Sequence, residues 1–392
     1  MRGLHDPSRH RRSRDDLGLR VYDGDDDRHN VPFGKIADWA YLMVVFVNRS
    51  LPLRLAWSFI RYKLGRPKLT YVVYCCTARC NLRCVFCGWW RRPRPELATE
   101  GALKVVAQLA DFGVCTIDFS GGEPTLRRDL AALASSARDY GLFTVLSTNG
   151  TLLDEEKVRE LGSVFDVVNV SLDGFAATHD ATRGVPGTFE RAKRALRLLS
   201  ELGEAKVGVD LTVHRGNISE TLKLFQALRE EVDFVSFQPI QPYPPPDDLA
   251  ITVAEAEALA EGLLAMKRGD PSYVGPSRGY ISLLKPYFAR TMEKLCDASV
   301  LYAMVDPAGG LLGCTNWPQS HIGDLTRHSL RELWDSEHRQ NSIKSMAACP
   351  GCMSQCTTLV SMSYRGGLSL SDLRGMLALS RRGGKAERRW AP

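Results

Sequence analysis

Twelve residues, CTARCNLRCVFC from Cys76 to Cys87, hold four of the chain's eleven cysteines. Cys80, Cys84 and Cys87 form a Cys-x3-Cys-x2-Cys set, while Cys76 belongs to the apolar run before it and is out of phase. Three thiolates on one short loop suit one face of an iron–sulfur cube. Such a cube has four irons, so three protein ligands leave one iron open, as a catalytic metal site requires and a structural one does not. Two other readings use the same residues. A zinc site would need a fourth ligand, and a thioredoxin-like Cys84-Val85-Phe86-Cys87 pair would leave Cys80 idle.

The loop needs a scaffold, and the surrounding sequence supplies a regular one. From Leu69 to about Pro239, β-branched or apolar runs alternate with helical segments of ten or more residues. The runs are LTYVVYCC (69–76), VCTIDFS (114–120), FTVLST (143–148), FDVVNVSL (165–172), AKVGVDLTV (205–213) and DFVSFQPI (233–240). Six strands alternating with helices predict βα repeats and a parallel sheet. The fold class is therefore α/β, a partial (β/α)6 TIM-like barrel that stays open, with reacting groups at the carboxyl ends of its strands.

Those strand ends carry further short motifs: FSGGEP after strand two, STNG after strand three, SLDG after strand four, and Arg183 in HDATRG beyond it. Gly121 and Gly122 let a ligand approach the backbone, and Glu123 offers a carboxylate to an ammonium group. Each is a common turn on its own. Together they recur at successive strand ends.

With these motifs in place, the chain resembles a radical S-adenosylmethionine enzyme over roughly residues 69–240. The resemblance rests on the cysteine loop with an aromatic, Phe86, before its last cysteine, combined with the GGEP segment. It implies that Cys80, Cys84 and Cys87 hold a [4Fe-4S] cluster whose open iron takes the amino and carboxylate groups of S-adenosylmethionine. It places Gly121, Gly122 and Glu123 at the methionine amino group and Ser147 and Asn149 near the ribose. Ser171 and Arg183 would face the ribose or the methionine carboxylate, and the backbones of Phe86 and Val213 the adenine. The implied activity is reductive cleavage of the cofactor to a 5′-deoxyadenosyl radical that takes a hydrogen from the substrate.

A second group of cysteines lies near the carboxyl end: Cys296, Cys314, and then Cys349, Cys352 and Cys356 in CPGCMSQC. Four close a second cluster or a zinc site, and five leave one to spare. The arrangement is similar to the Twitch or SPASM extension of the same family, which implies an auxiliary [4Fe-4S] cluster. A full SPASM extension has seven cysteines, so one auxiliary cluster is expected here. Cys296, Cys314 and Cys352 are the firm ligands, with Cys349 or Cys356 completing the set.

Composition frames these motifs. The chain has 392 residues, 44% hydrophobic and 24% charged, and a net charge of +6 from 51 basic and 45 acidic residues, which fits a globular protein and does not call for nucleic acid. No signal-peptide pattern opens it, so a reducing cytoplasm is expected, where cysteines serve metals or catalysis rather than disulfides. The expected organisation is a charged disordered tail (1–34), an amphipathic helical extension (35–68), the radical core (69–245) and a helical linker (246–289). An auxiliary-cluster domain with little repetitive secondary structure (290–362) and a C-terminal helix with a basic tail (363–392) follow. In LPLRLAWSFIRYKLG the apolar face reads as Leu53, Ala56, Trp57, Ile60 and Leu64. That face either packs on the core or anchors the protein peripherally at the inner membrane face.

The amphipathic helix tilts the expected substrate toward a lipid or isoprenoid intermediate, with a ribosomal peptide or a small alcohol or sugar as alternatives. A non-catalytic iron–sulfur or zinc scaffold is the reading of another class. Trp89 and Trp90 are read as a shield for the cluster, and Arg91, Arg92 and Arg94 as a solvated face or a docking site for an acidic flavodoxin- or ferredoxin-type electron donor. Cys75, Cys76 and Cys115 are read as buried apolar-like residues, and His179 as a hydrogen-bonded structural histidine.

Overall fold

In the computed structural model, the apolar runs become strands because each alternates inward and outward side chains between a helical layer and the barrel interior. The structure describes residues 51–91, 94–241 and 247–366. The charged tail 1–34, the part of the extension before Leu51, and residues 367–392 of the expected C-terminal helix and basic tail lie outside them.

The six strands are β1 (Tyr71–Thr77), β2 (Thr116–Gly121), β3 (Phe143–Thr148), β4 (Val167–Ser171), β5 (Lys206–Val213) and β6 (Phe234–Pro239). All pair in parallel with their sequence neighbours, and the sheet order β6-β5-β4-β3-β2-β1 is open, as a partial barrel requires. Helices complete each crossover. The first, α2 (Thr99–Phe112), shows why: Ala102, Val105, Val106, Leu109 and Phe112 recur at helical spacing, are buried, and face the sheet. Gly113 then ends it in the left-handed region at φ 91°, its N–H donating to the Ala110 carbonyl.

The helix before β1, α1 (Leu51–Lys63), packs by a different face from the one expected. Leu55, Ala56 and Ser58 are buried, and Phe59 and Tyr62 pack on Tyr364. The Ser58 hydroxyl pairs with Thr70 at 2.6 Å, and Arg54 reaches the carbonyls of Gly141 and Val114 to fix the helix to the core. Of the expected stripe, Trp57 is 58% exposed and Leu64, just past the helix, 68%. Polar side chains with specific partners outcompeted the larger apolar ones for the packed position.

The C-terminal region also holds more regular structure than expected. β7 (Tyr302–Val305) continues the barrel sheet in parallel with β1, Tyr71 opposite Tyr302, and β8 (Gly310–Leu312) and β9 (His321–Asp324) extend it antiparallel. Short runs such as YAMV and GLL are too brief to show a period.

Candidate active site

The cysteine loop leaves β1 at its carboxyl end and is held by backbone bonds on two sides. The amides of Arg83 and Val85 donate to the carbonyls of Arg183 and Thr182, each at 3.0 Å, at the end of α5 (Ala176–Arg183). From the other side, the amides of Gly122 and Glu123 donate to the carbonyls of Thr77 and Arg79, each at 2.8 Å. These contacts account for the glycines. A Cβ on Gly121 would lie 2.4 Å from the Thr77 oxygen and one on Gly122 2.0 Å from that of Arg79. What occupies the space of the missing side chains is the loop's own backbone.

Glu123 has several partners within the protein. Its carboxylate is buried, with Oε1 accepting from the Thr125 amide and hydroxyl and from the Thr148 hydroxyl, and Oε2 from the Asn149 amide. It ties the ends of β2 and β3 together rather than presenting a free carboxylate. Asn149 extends the tie: its Nδ2 donates to Asn81 Oδ1 in the cysteine loop at 2.9 Å.

Arg183 lies under the loop. Its guanidinium pairs with Asp173 at 2.5 Å, with both side chains sealed from solvent, and its Nη1 lies 3.8 Å from Cys84 Sγ. The same guanidinium lies 5.6 Å from the Phe86 ring centroid, and that ring is 6.2 Å from His214. Ser171 ends β4 opposite Asp210, Ser147 donates to Asp118 Oδ1 at 3.0 Å, and the Val213 carbonyl accepts from the Ile240 amide. His179 is buried and accepts from the Asp173 amide through Nδ1; burial holds its pKa down to about 4, so it is a neutral structural ring.

The donor set fits a cluster. Cys80, Cys84 and Cys87 are free thiols on one fastened loop, and burial pushes the Cys80 thiol up to about 11, so a bound metal ion is what would make it a thiolate ligand. Among the described residues, no three His, Cys, Asp or Glu side chains converge on one ion-sized point. A cube asks for no such convergence, since each thiolate meets its own iron.

The C-terminal thiols gather as well. Cys296, Cys314, Cys349 and Cys356 pack around Tyr302, Met304 and Met346, in a group that also takes in Cys75 of β1. Cys352 is buried within electrostatic reach of Cys296, Cys349 and Cys356.

Comparison with known proteins supplies the context. Residues 74–230 match the model of the radical SAM superfamily, and residues 296–357 match that of an iron–sulfur cluster-binding domain, SPASM. The chain belongs to the radical S-adenosylmethionine superfamily. Its radical SAM domain implies a [4Fe-4S] cluster and S-adenosylmethionine, and its C-terminal SPASM domain implies auxiliary iron–sulfur clusters. The second group of cysteines lies within the residues that match this iron–sulfur cluster-binding domain.

The chain is 42% identical over 173 residues to the Fe-coproporphyrin III synthase of Methanosarcina barkeri, a match covering 43% of each protein. It is 32% identical over 248 residues to the mycofactocin maturase MftC of Mycolicibacterium smegmatis, covering 61% of this chain and 62% of that one. The chain thus spans less than two thirds of either relative. The crystal structure of Streptococcus suis SuiB bound to S-adenosylmethionine shares the fold, with a TM-score of 0.61 at 18% identity over 76% of this chain and 74% of that one.

The polar residues that face the barrel interior escaped the sequence reading. Tyr71 donates to Asp118 Oδ2 at 3.0 Å, and Gln355 donates to Asp210 Oδ1 at 2.7 Å. The available signal was an aspartate at the inward phase of two apolar strands, VCTIDFS and KVGVDLTV. Burial pushes each of these carboxyls up to about 6, against the hydrogen bonds that pull them down. Asp118 faces Tyr71, Ser147, Asp210 and, farther off, Cys356.

A folded value above the unfolded one near 4 means that Asp118 costs nothing when protonated. Its cost appears as the pH rises through about 6. Asp118→Asn is therefore expected to be more stable than the parent, by a margin that grows by about 1 kcal/mol between pH 5 and pH 8. Chemical denaturation at both pH values measures this, and a margin that stays flat contradicts it.

Proposed function

We propose that the chain holds its radical-generating cluster through Cys80, Cys84 and Cys87 and removes a hydrogen from a peptide or an amine-bearing small molecule lodged in the barrel. The observation that carries this reading is the cysteine loop clamped between α5 and the Gly121-Gly122-Glu123 segment at the mouth of a polar interior. When bound, the cluster and S-adenosylmethionine supply a one-electron reduction that leads to hydrogen abstraction. The chain's own residues position that chemistry. Arg183 sets a fixed positive charge beside Cys84, Phe86 and His214 wall one side, and Glu123 with Asn149 keeps the ends of β2 and β3 in register with the loop.

Gly121, Gly122, Glu123, Ser147, Asn149, Ser171, Arg183, Phe86 and Val213 remain the proposed surroundings of S-adenosylmethionine, with the Glu123 side chain acting as an organiser. Cys296, Cys314 and Cys352, with Cys349 or Cys356, are the proposed auxiliary ligands. The relatives named above point to tetrapyrrole and peptide chemistry, which draws the proposal away from the lipid substrate that the helix suggested. The direct test is anaerobic: cluster-reconstituted protein reduced with dithionite should convert S-adenosylmethionine to 5′-deoxyadenosine, and no product would sink the proposal.

Electron delivery is proposed at the exposed arginines around the tryptophans, where Arg83 and Arg91 lie 5.0 and 4.7 Å from the Trp90 ring and Arg94 5.4 Å from that of Trp89. An acidic flavodoxin- or ferredoxin-type donor matches that charge.

Peripheral membrane contact is a second reading, favoured by the outward Trp57 and Leu64 beside the exposed Lys63 and Arg66. No described helix is long and apolar enough to cross a membrane. Full-length protein is expected to co-sediment with phosphatidylglycerol vesicles, and the Trp57→Ser/Leu64→Ser variant to lose about thirtyfold in binding, since two large apolar contacts of ~1 kcal/mol each are removed. Equal binding by both would refute attachment through this face.

A further inference from the structure

The barrel interior holds polar groups that the proposed reaction leaves unassigned. On the parallel strands β1 to β7 the acidic residues are Asp118 and Asp210, and the one basic residue, Lys206, pairs with Asp233 at 3.2 Å at the amino end of β5. Both acids face inward, because their neighbours Ile117 and Phe119, and Val209 and Leu211, belong to the core on the other side of the sheet.

Each acid has neutral donors on one side: Tyr71 and Ser147 for Asp118, and Gln355 for Asp210. The charge of Asp210 also reaches Asp118. The Arg183 charge reaches Asp210, but that guanidinium is committed to Asp173, which itself acts on Asp210 with the opposite sign. Neither inward acid is salt-bridged to a cation of its own among the described residues, and the described strands bring none to their level.

Other buried groups point the same way. Asn169 Oδ1 on β4, level with Ser147 on β3, and Gln241 Oε1 just past β6 are buried acceptors without a donor among the described residues. The Tyr302 hydroxyl is fully buried on β7 in a ring stacked on Tyr71, 6.3 Å between centroids, and among the described residues it finds no nitrogen or oxygen partner, only the Cys356 thiol nearby. Sealed acceptors and paired acids without a counter-charge of their own are costly by themselves. A ligand bringing positive charge and N–H donors removes that cost, whereas a polycarboxylate such as a propionate-bearing tetrapyrrole would set like charges against each other.

We infer that the substrate carries a protonated amine or guanidinium group, which the barrel interior receives at Asp118 and Asp210 with Tyr71, Tyr302 and Gln355 around it. The two aspartates are specificity determinants, and Gln355 makes the SPASM segment part of the same subsite. This inference rests on the reading above that the substrate reacts inside the barrel.

The test uses full-length, cluster-reconstituted protein and two probes of one skeleton and opposite charge, phenethylamine and 3-phenylpropionate, with binding followed by calorimetry and saturation-transfer NMR. Phenethylamine is expected to bind at least about tenfold more tightly, as like charge repels the acid. Asp118→Asn and Asp210→Asn should each weaken that preference, and the double variant should abolish it. Equal or tighter binding of the acid, binding of neither probe, or a preference that survives both substitutions overturns the inference. Formation of 5′-deoxyadenosine is scored on the same samples. A protein that makes the nucleoside but shows no charge preference refutes the substrate class alone, and one that keeps the preference but makes none refutes the proposed reaction alone.

Discussion

Replacing Cys80, Cys84 and Cys87 together with alanine is expected to remove one cluster's iron, lower 5′-deoxyadenosine formation to background, and leave the fold and the SPASM-domain iron in place. The fold should survive because the loop's attachments do not run through its sulfurs. Arg83 and Val85 hang from α5 by their amides, Asn81 from Asn149 by its side chain, and Gly122 and Glu123 clasp the loop's start. The loss should be complete rather than graded, since the remaining thiols Cys75 and Cys76 are on β1 and cannot swing into the vacated positions. Iron analysis, circular dichroism and product assay read the three parts separately. Unchanged iron would remove these cysteines from the ligand set.

Arg183→Met is expected to destabilise the protein by about 3–5 kcal/mol, because it strands the Asp173 charge where no water reaches it. Asp173 also accepts from the Thr212 amide at 3.0 Å, so the stranded carboxylate sits between β4 and β5 and its cost falls on both. Removing the partner as well, in Arg183→Met/Asp173→Leu, should recover most of the loss, since an apolar pair of similar volume avoids the desolvation cost. Denaturation midpoints of the two variants decide the matter, and a single variant as stable as the parent would show that the pair is not sealed. The iron content of the single variant should fall as well, given the contact between Arg183 and Cys84.

The parts legible in the sequence were those in which one physical signal dominates. FTVLST became β3 over the same residues, and all six barrel strands fell within two residues of their apolar runs, because burial on both faces leaves a continuous apolar record. The faces of α1 were not legible, since Arg54 and Ser58 gain from partners nearly sixty residues or more away, or across a turn, which helical periodicity cannot register. Glu123 was found, but not the bonds it makes within the protein. A carboxylate after two glycines advertises a ligand, and only the folded positions of Thr148 and Asn149 show what consumes it. Asp118 and Asp210 went unnoticed because a lone acid in a strand reads as noise until the sheet brings two of them to the inside.

β7 lies along β1 with four residues in register, so the strand that delivers the cysteine loop has no free edge. A chain cut before β7 would expose that edge, a row of unpaired backbone groups that invites pairing with other chains. The C-terminal module is therefore a sealing strand as much as a cofactor carrier. Removing it would require another cover for β1.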